Sequence, residues 1–261
     1  MRNSYPSDIT REQFGIIQGD LEGAKKVTHP RKTDLYDIFC AVLYVLKEGG
    51  RWRSLPHDFP RWQNVYYHFR VWKEPKEDGE TLLDKVMRKL VENERVKNKR
   101  NEQTSMIIVD SRSVKNAFTA TEKGYDAKKT SGIKLHIAVD TNGLPHAMFI
   151  STANMTDRDG GRNLIGYAYP HLSMVKKVMV DSGYSGATFA QDVLSLIGAQ
   201  TEVVKRIELH TFKVLPKRWV VERSFSWLDH CRRLWKNCDR LLHTSLQMAK
   251  LAFISLRLRR C

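Results

Sequence analysis

Cysteine is scarce in this chain, and the few cysteines are scattered. They are Cys40, Cys231, Cys238 and Cys261, and no two of them form a C-x-x-C pair. No histidine stands at metal-ligand spacing from them, which argues against a zinc site. Thiols scattered in this way fit the reducing cytosol. We therefore expect a cytoplasmic protein without structural zinc.

Long apolar runs are also missing. The first residues, MRNSYPSDITREQF, lack the apolar core of a secretion signal. No segment reaches the length of a membrane span, since Ser255 and Arg257 interrupt the apolar stretch near the C-terminus. Internal repeats and low-complexity segments are absent from the sequence as well. We expect no membrane partner, and 261 residues with 41% apolar content suffice for one or two globular domains.

Positive charge is in excess. The chain has 44 Lys and Arg against 29 Asp and Glu, a formal net charge of +15. Residues 205–261 hold 14 basic and four acidic side chains, so this last fifth carries +10 of the excess. Lys and Arg bind phosphates, and a charge of this size favours a nucleic-acid partner. The alternative at this point is a basic protein that binds ribosomes or anionic membranes.

Residues 1–100 are predicted to form a small helical domain. Asp34 is expected to cap a helix in which apolar residues recur at helical spacing, and RWQNVYYHFRVW reads as a second, aromatic helix. This order makes the segment a helix-turn-helix candidate that binds DNA. The other interpretation is a plain helical domain whose aromatics form its core. The candidate DNA contacts are Arg51, Arg53, Arg61 and Arg70.

Residues 101–261 are predicted to form an α/β domain. Five apolar segments read as strands: MIIVD, IKLHIAVD, LPHAMFIS, KKVMVD and AQTEVVKR. The turn at Thr141, Asn142 and Gly143 favours a hairpin between the second and third strands. Two helices alternate with the later strands, and two basic helices end the chain. A three-strand meander followed by alternating helices and strands is the order of an RNase H-like domain with a mixed five-stranded sheet.

Three acidic residues stand out. Two buried strands end on Asp110 and Asp181, and such ends deliver carboxylates to the sheet edge where ligands bind. Glu222 lies in a predicted helix, at the edge of an apolar stripe where an unpaired carboxylate is unfavourable. Each has a simpler explanation: turn formation for the aspartates, and an ion pair with Arg218 or Arg223 for Glu222.

Three carboxylates together match the needs of phosphodiester chemistry. Mg²⁺, or Mn²⁺ in its place, prefers oxygen ligands, and two ions about 3.5–4 Å apart can clamp the attacking and leaving oxygens. We therefore expect Asp110, Asp181 and Glu222 to bind two ions per active site. If this triad is wrong, the acids that replace it are expected among Asp140, Asp157 and Asp159.

The chain resembles the bacterial insertion-sequence transposases of family five, in the four/five superfamily. The resemblance is carried, in family order, by RWRSLPHDFPRWQNVYYHFRVW, IIVDSRSVKNA, KKTSGIKLHIAVDTNGLPHAM, VMVDSGYSG and LPKRWVVERSFSWLDHCRRLWKN. It implies an RNase H-like domain whose D, D, E triad falls on Asp110, Asp181 and Glu222, with Arg218 as the arginine before the glutamate. Related families have a tyrosine and a lysine where this sequence has Leu215 and Asp229.

The resemblance implies a transposase that binds the inverted repeats of its own element and catalyses metal-dependent strand cleavage and strand transfer. Its partners would be double-stranded DNA at the element ends and target, and a second copy of the chain. The alternatives are a DNA-binding protein without catalysis and a two-metal nuclease. Further DNA contacts are expected at Lys134, Arg218, Arg223, Arg232 and Arg233.

Overall fold

The computed structural model describes residues 2–23, 33–126, 129–204 and 218–260. They fall into two compact units. The first consists of Met1–Leu90, Leu228–Trp235 and Gln247–Cys261, and the second of Val91–Trp227 and Lys236–Leu246. The boundary near residue 100, between a DNA-binding and a catalytic domain, stays a prediction. Within the described ranges, no helix is both long and apolar enough to cross a membrane.

Helices dominate the first unit, and the second is built on a sheet. The helices are α1 (Arg11–Glu22), α2 (Leu35–Glu48), α3 (Trp62–Lys73), α4 (Leu82–Lys97), α5 (Asp157–Ala168), α6 (Ala187–Ile197), α7 (Arg218–Leu228) and α8 (Leu242–Leu258). The strands are β1 (Met106–Lys115), β2 (Gly124–Tyr125), β3 (Ser131–Val139), β4 (Pro145–Thr152), β5 (Lys177–Asp181) and β6 (Gln200–Val204). Short 3-10 turns occupy Trp52–Ser54, Tyr169–His171, Ser182–Tyr184 and Arg232–Leu234.

The predicted start of α2 is confirmed. The Asp34 carboxylate accepts a hydrogen bond from the Tyr36 backbone N–H at 2.9 Å, as an N-cap does. Gly49 ends the helix with a φ of 74°, a conformation that glycine adopts without strain. Residues 49–61 and their 3-10 turn connect α2 to α3. This connection is longer than the three- or four-residue turn of a helix-turn-helix, because a loop with two prolines separates the helices.

The sheet is mixed, as the sequence predicts. Its strand order is β2-β3-β1-β5-β6, and β4 pairs with β3 along the edge of β3 away from β1. β1, β3 and β4 pair antiparallel, whereas β5 pairs parallel with both β1 and β6. All five predicted strands are present, together with the two-residue β2. The RNase H-like α/β class is confirmed.

One face of the sheet packs against α5 and α6. The buried strand residues Ile107, Val109, Val178 and Val180 form a core with Leu164 and Ile165 of α5 and with Phe189 and Val193 of α6. Two glycines let α5 approach closely. A Cβ on Gly160 would collide with the His136 ring, and one on Gly161 would lie 2.7 Å from the Tyr184 ring. The first turn of α5 can therefore sit directly on the sheet.

Asp140 has a structural place in the turn between β3 and β4. It is fully buried, and its carboxylate pairs with Arg95 and accepts hydrogen bonds from the backbone N–H groups of Asn142 and Leu144. Gly143 N donates to the Asp140 carbonyl at 2.9 Å, with a φ of 81° at Gly143. The predicted Asn-Gly turn is confirmed.

Candidate active site

Asp110 lies where two neighbouring strands part. β1 and β5 pair in parallel from Met106 to Ile108, and Asp110 stands two residues beyond. The strand does not end at Asp110, as the sequence indicated. It continues to Lys115, because the polar segment after Asp110 still pairs with β3, with Asp110 opposite Ile137. Asp110 is half-buried at this point.

Asp181 is the last residue of β5, and the register of the parallel pair places it level with Asp110. Its side chain accepts a hydrogen bond from Gly183 N at 2.9 Å, which fixes the turn that follows. Residues alternate between the faces of a strand, and the preceding residues Val109 and Val180 face the α5 core. Asp110 and Asp181 therefore lie on the opposite face of their strands from Val109 and Val180, side by side on neighbouring strands.

α7 lies at the same place. Val221, which is buried, lines one cleft together with both aspartates. We call this the carboxylate cleft, and its lining residues are Ile108, Val109, Asp110, Met179, Val180, Asp181, Val204 and Val221. Glu222 directly follows Val221 and is exposed, whereas Val220, Ser224 and Phe225 are buried. The sequence placed Glu222 at the edge of the buried stripe; the structure places it on the solvent side of that stripe.

The carboxylate cleft suits a hard cation in its chemistry. Asp110 and Asp181 supply oxygen ligands of the kind that Mg²⁺ and Mn²⁺ prefer, from two adjacent strands. Across the described residues, no three His, Cys, Asp or Glu side chains stand close enough together to hold a metal ion. Two carboxylates thus share the cleft. Glu222 is the candidate for a third, because it directly follows Val221, which lines the cleft.

The carboxylate of Asp157 lies near Asp110, because both carboxylates accept hydrogen bonds from Ser111. The Ser111 hydroxyl donates to Asp157 Oδ1 at 2.6 Å, and Lys134 Nζ lies 3.0 Å from the same oxygen. Burial would raise the pKa of Asp157, but these two partners outweigh it and lower the pKa. Burial raises the pKa of the Tyr184 phenol, and the charges of Asp110 and Asp157 raise it further. The Tyr184 hydroxyl is therefore neutral.

Two family descriptions match the chain. "Transposase DDE domain" covers residues 101–257, and "Putative transposase of IS4/5 family" covers residues 9–76. The chain belongs to the DDE transposase family, of the IS4/5 type. The resemblance stated from the sequence is confirmed.

Individual relatives are more distant. The chain is 34% identical over 110 residues to the "Putative transposase for insertion sequence element IS402" of Burkholderia cepacia, which is 40% of this chain and 52% of that protein. It thus spans about half the length of this curated relative. The match to the piggyBac transposase synaptic complex with hairpin DNA covers 99% of this chain and 76% of the piggyBac chain, at 10% identity and a TM-score of 0.45. The match to the Mos1 mariner paired end complex with Mn covers 95% of this chain and 85% of the Mos1 chain, at 10% identity and a TM-score of 0.26. Likeness at this level assigns no role to a residue.

The basic residues predicted to contact DNA differ in how exposed they are and in whether they have partners within the chain. The four candidates of the N-terminal helical region are all exposed: Arg51, Arg53, Arg61 and Arg70. Arg232 is also largely exposed, with its side chain 61% accessible and Arg232 Nη1 3.3 Å from Glu48. The side chain of Arg218 lies outside the described part of the structure, as do Leu215 and Lys128.

Two of the residues predicted to contact DNA, Arg233 and Lys134, have partners within the chain. Arg233 is 8% exposed, and its guanidinium donates to the Gly50 carbonyl at 3.0 Å. Lys134 is only 13% exposed in its side chain, and it donates to the Met155 carbonyl at 2.8 Å besides pairing with Asp157. A DNA contact from either residue stays a prediction, and it would have to coexist with these partners.

Arg223 has an intermediate position. Its guanidinium lies 4.6 Å from the Trp219 ring and 5.1 Å from the Trp227 ring, and it donates to the Asn142 carbonyl at 2.8 Å. The bond to Asn142 holds α7 to the β3–β4 turn, and the two tryptophans are neighbours of Arg223 on α7 itself. A phosphate contact from Arg223 stays a prediction. Such a contact would have to coexist with this packing.

Proposed function

We propose that the chain is a DNA transposase, which binds the terminal inverted repeats of its own insertion sequence and catalyses metal-dependent strand cleavage and strand transfer. One observation carries the proposal. Asp110 and Asp181 line a single cleft in a chain of the DDE family, and the helix that carries Glu222 contributes its buried Val221 to the same cleft.

In this proposal Asp110, Asp181 and Glu222 are the catalytic residues and the metal ligands. The sheet fixes the first two carboxylates, because each stands on a strand whose neighbouring residues are buried in the α5 core. Glu222 approaches from α7. When bound, two Mg²⁺ or Mn²⁺ ions supply an activated attacking oxygen and neutralise charge at the phosphate. The attacking group is water for cleavage and the freed 3′-OH for strand transfer.

The proposed partners are duplex DNA and a second copy of the chain. Two element ends must be joined, so we expect a homodimer on DNA, acting in the bacterial cytoplasm. Residues 1–100 would carry sequence recognition through the exposed arginines, and residues 101–261 would carry catalysis. The net charge of +10 over residues 205–261 would hold the phosphate backbone.

The test uses full-length protein and a duplex that carries the inverted repeats flanking its gene. We expect Asp110→Asn and Glu222→Gln to abolish cleavage with Mg²⁺ or Mn²⁺. Binding of the ends should stay intact or become tighter, since a charge opposed to phosphate is removed. Asp159→Asn is the matched control, because this exposed residue pairs with Thr156 at the start of α5.

Three outcomes decide between the functions. Cleavage by Asp110→Asn at the wild-type rate would show that the catalytic assignment is wrong. End binding without any cleavage by the wild-type chain would favour the DNA-binding protein without catalysis. Cleavage of scrambled duplexes as fast as of element ends would favour a two-metal nuclease.

A further inference from the structure

Asp157 is bound by groups from two strands of the sheet rather than by its own helix. Its Oδ1 accepts from the Ser111 hydroxyl of β1 and lies 3.0 Å from Lys134 Nζ of β3. An acid at the first position of a helix commonly interacts with the free backbone N–H groups there. In α5 that capping role belongs to Thr156, whose side chain accepts from Asp159 N. Asp157 is therefore available to hold β1 and β3.

The residue that Asp157 holds is the neighbour of Asp110. Ser111 donates its hydroxyl to Asp157, and its backbone N–H donates to Asp110 Oδ1 at 2.7 Å. One residue thus links the two carboxylates. β1 no longer pairs with β5 at this point, because their parallel pairing ends at Ile108. The Asp157 contact replaces that partner as a restraint on the strand.

The turn after β5 lies against the same carboxylate. A Cβ on Gly183 would lie 3.0 Å from Asp181 Oδ1 and 3.5 Å from Asp157 Oδ2. A side chain at position 183 would therefore crowd the carboxylates of Asp181 and Asp157, and glycine avoids this. Gly160 and Gly161 let the start of α5 approach the sheet closely, which brings Asp157 within reach of Ser111.

We propose that Asp157 is a positioning residue for the reaction, which acts through the Ser111 hydroxyl to fix the segment of β1 that presents Asp110 to the carboxylate cleft. Lys134 balances the charge of Asp157, so that this carboxylate adds little negative charge beside the two aspartates of the cleft. Groups that orient metal ligands typically change metal affinity or activity by about 10–100-fold when they are removed. The inference rests on the proposed function of Asp110.

The experiment measures single-turnover cleavage of the element-end duplex and, separately, the binding of Mn²⁺ alone by electron paramagnetic resonance of the free ion. Ser111→Ala and Asp157→Ala should each lower the cleavage rate and weaken Mn²⁺ binding by about 10–100-fold. Their affinity for the DNA ends should change less than about twofold. Ser111→Thr keeps the hydroxyl and should restore both values to within about threefold of wild type.

Asp157→Asn separates positioning from direct ligation. The amide oxygen can still accept the Ser111 hydroxyl, so this variant should cleave better than Asp157→Ala. If Asp157→Asn were as inactive as Asp110→Asn, Asp157 would be a ligand and the inference would be wrong. Loss of activity in Asp157→Ala without loss in Ser111→Ala would also overturn it. Asp159→Ala, on the same helical turn, controls for damage to α5 and should leave Mn²⁺ binding unchanged.

The two proposals fail in different ways. If Asp110→Asn cleaves at the wild-type rate, the proposed function of Asp110 is wrong. An inactive Asp110→Asn, together with wild-type rates and Mn²⁺ affinity in Ser111→Ala, removes the positioning role alone. If Asp157→Ala does not fold, the comparison of Ser111→Ala with Ser111→Thr still decides the question, since Ser111 is only half-buried and is not part of the core.

Discussion

Asp140→Asn should destabilise the sheet-based unit strongly without touching the carboxylate cleft. The side chain of Asp140 is fully buried, and its Oδ2 pairs with Arg95 and lies 3.8 Å from Arg100. Its Oδ1 accepts two backbone N–H bonds, from Asn142 and Leu144, which an asparagine oxygen can keep. The substitution therefore removes the charge and little else.

The magnitude follows from what is left behind. Arg95 is 3% exposed in its side chain, and it keeps the carbonyls of Asn101 at 2.8 Å and Gln103 at 3.2 Å as acceptors. Its positive charge nevertheless loses its buried counter-charge, and the new amide N–H₂ faces a donor. Breaking a buried ion pair by removing one partner costs about 3–5 kcal/mol. For a unit of this size, 3 kcal/mol corresponds to a lower melting temperature by about 6–12 °C.

Differential scanning calorimetry measures the effect, with Asp192→Asn as the matched control. Asp192 pairs with Arg162 at 3.5 Å, and the arginine side chain is 58% exposed. An exposed pair of this kind contributes about 0–1 kcal/mol. If Asp140→Asn costs no more than Asp192→Asn, the account of the buried pair is wrong.

The same residue gives a pH dependence. Burial would raise the pKa of Asp140, but His146, with Nε2 at 3.7 Å, and the backbone N–H of Leu144 lower it from 3.8 to about 2. Because the folded pKa lies below the unfolded one, the stabilisation is present above about pH 4 and is lost as the pH falls toward 2. In Asp140→Asn, the free energy of unfolding should no longer fall between about pH 4 and pH 2 on account of this group. If the variant shows the same pH dependence as the wild type, Asp140 is not the group responsible.

Three further predictions concern DNA binding and packing. Arg61→Ala should weaken specific binding to element ends by about 1–3 kcal/mol if the arginine contacts a base, and equal loss on scrambled DNA would refute this. Arg232→Ala should lower the salt slope of binding by roughly one for all sequences, whereas a sequence-dependent loss would argue against a phosphate contact. Gly160→Ala should destabilise the chain by about 1–3 kcal/mol or more in thermal melts, because its Cβ would collide with the buried His136 ring. Gly166→Ala, on the same helix with nothing within 4 Å of the new Cβ, should be neutral or stabilising by up to about 1 kcal/mol.

Local signals were sufficient to predict most of the sheet and the placement of Asp110 and Asp181 on two of its strands. The β-branched runs before Asp110 and Asp181 predict strands because those residues pack into a buried face, and both strands form as expected. The cap at Asp34 and the Asn-Gly turn also depend only on neighbouring residues. Both are confirmed for the same reason.

Contacts between distant residues explain what the sequence could not give. The polar residues after Asp110 read as a loop, but pairing with β3 extends the strand to Lys115. Lys134 is predicted from the sequence to contact DNA, and only the fold shows that it pairs with Asp157, which the sequence offered as an alternative acid. The exposure of Glu222 likewise depends on how α7 is rotated on the sheet, which the helical pattern leaves open.

The most direct test of the triad is a crystal structure of the full chain with a cleaved element end and Mn²⁺, using anomalous scattering to locate the ions. The proposal predicts Mn²⁺ peaks bonded to the carboxylates of Asp110, Asp181 and Glu222, next to the terminal 3′-OH. Mn²⁺ bound at the scissile end by other residues, or by the two aspartates with Glu222 remote from the ions, would contradict it.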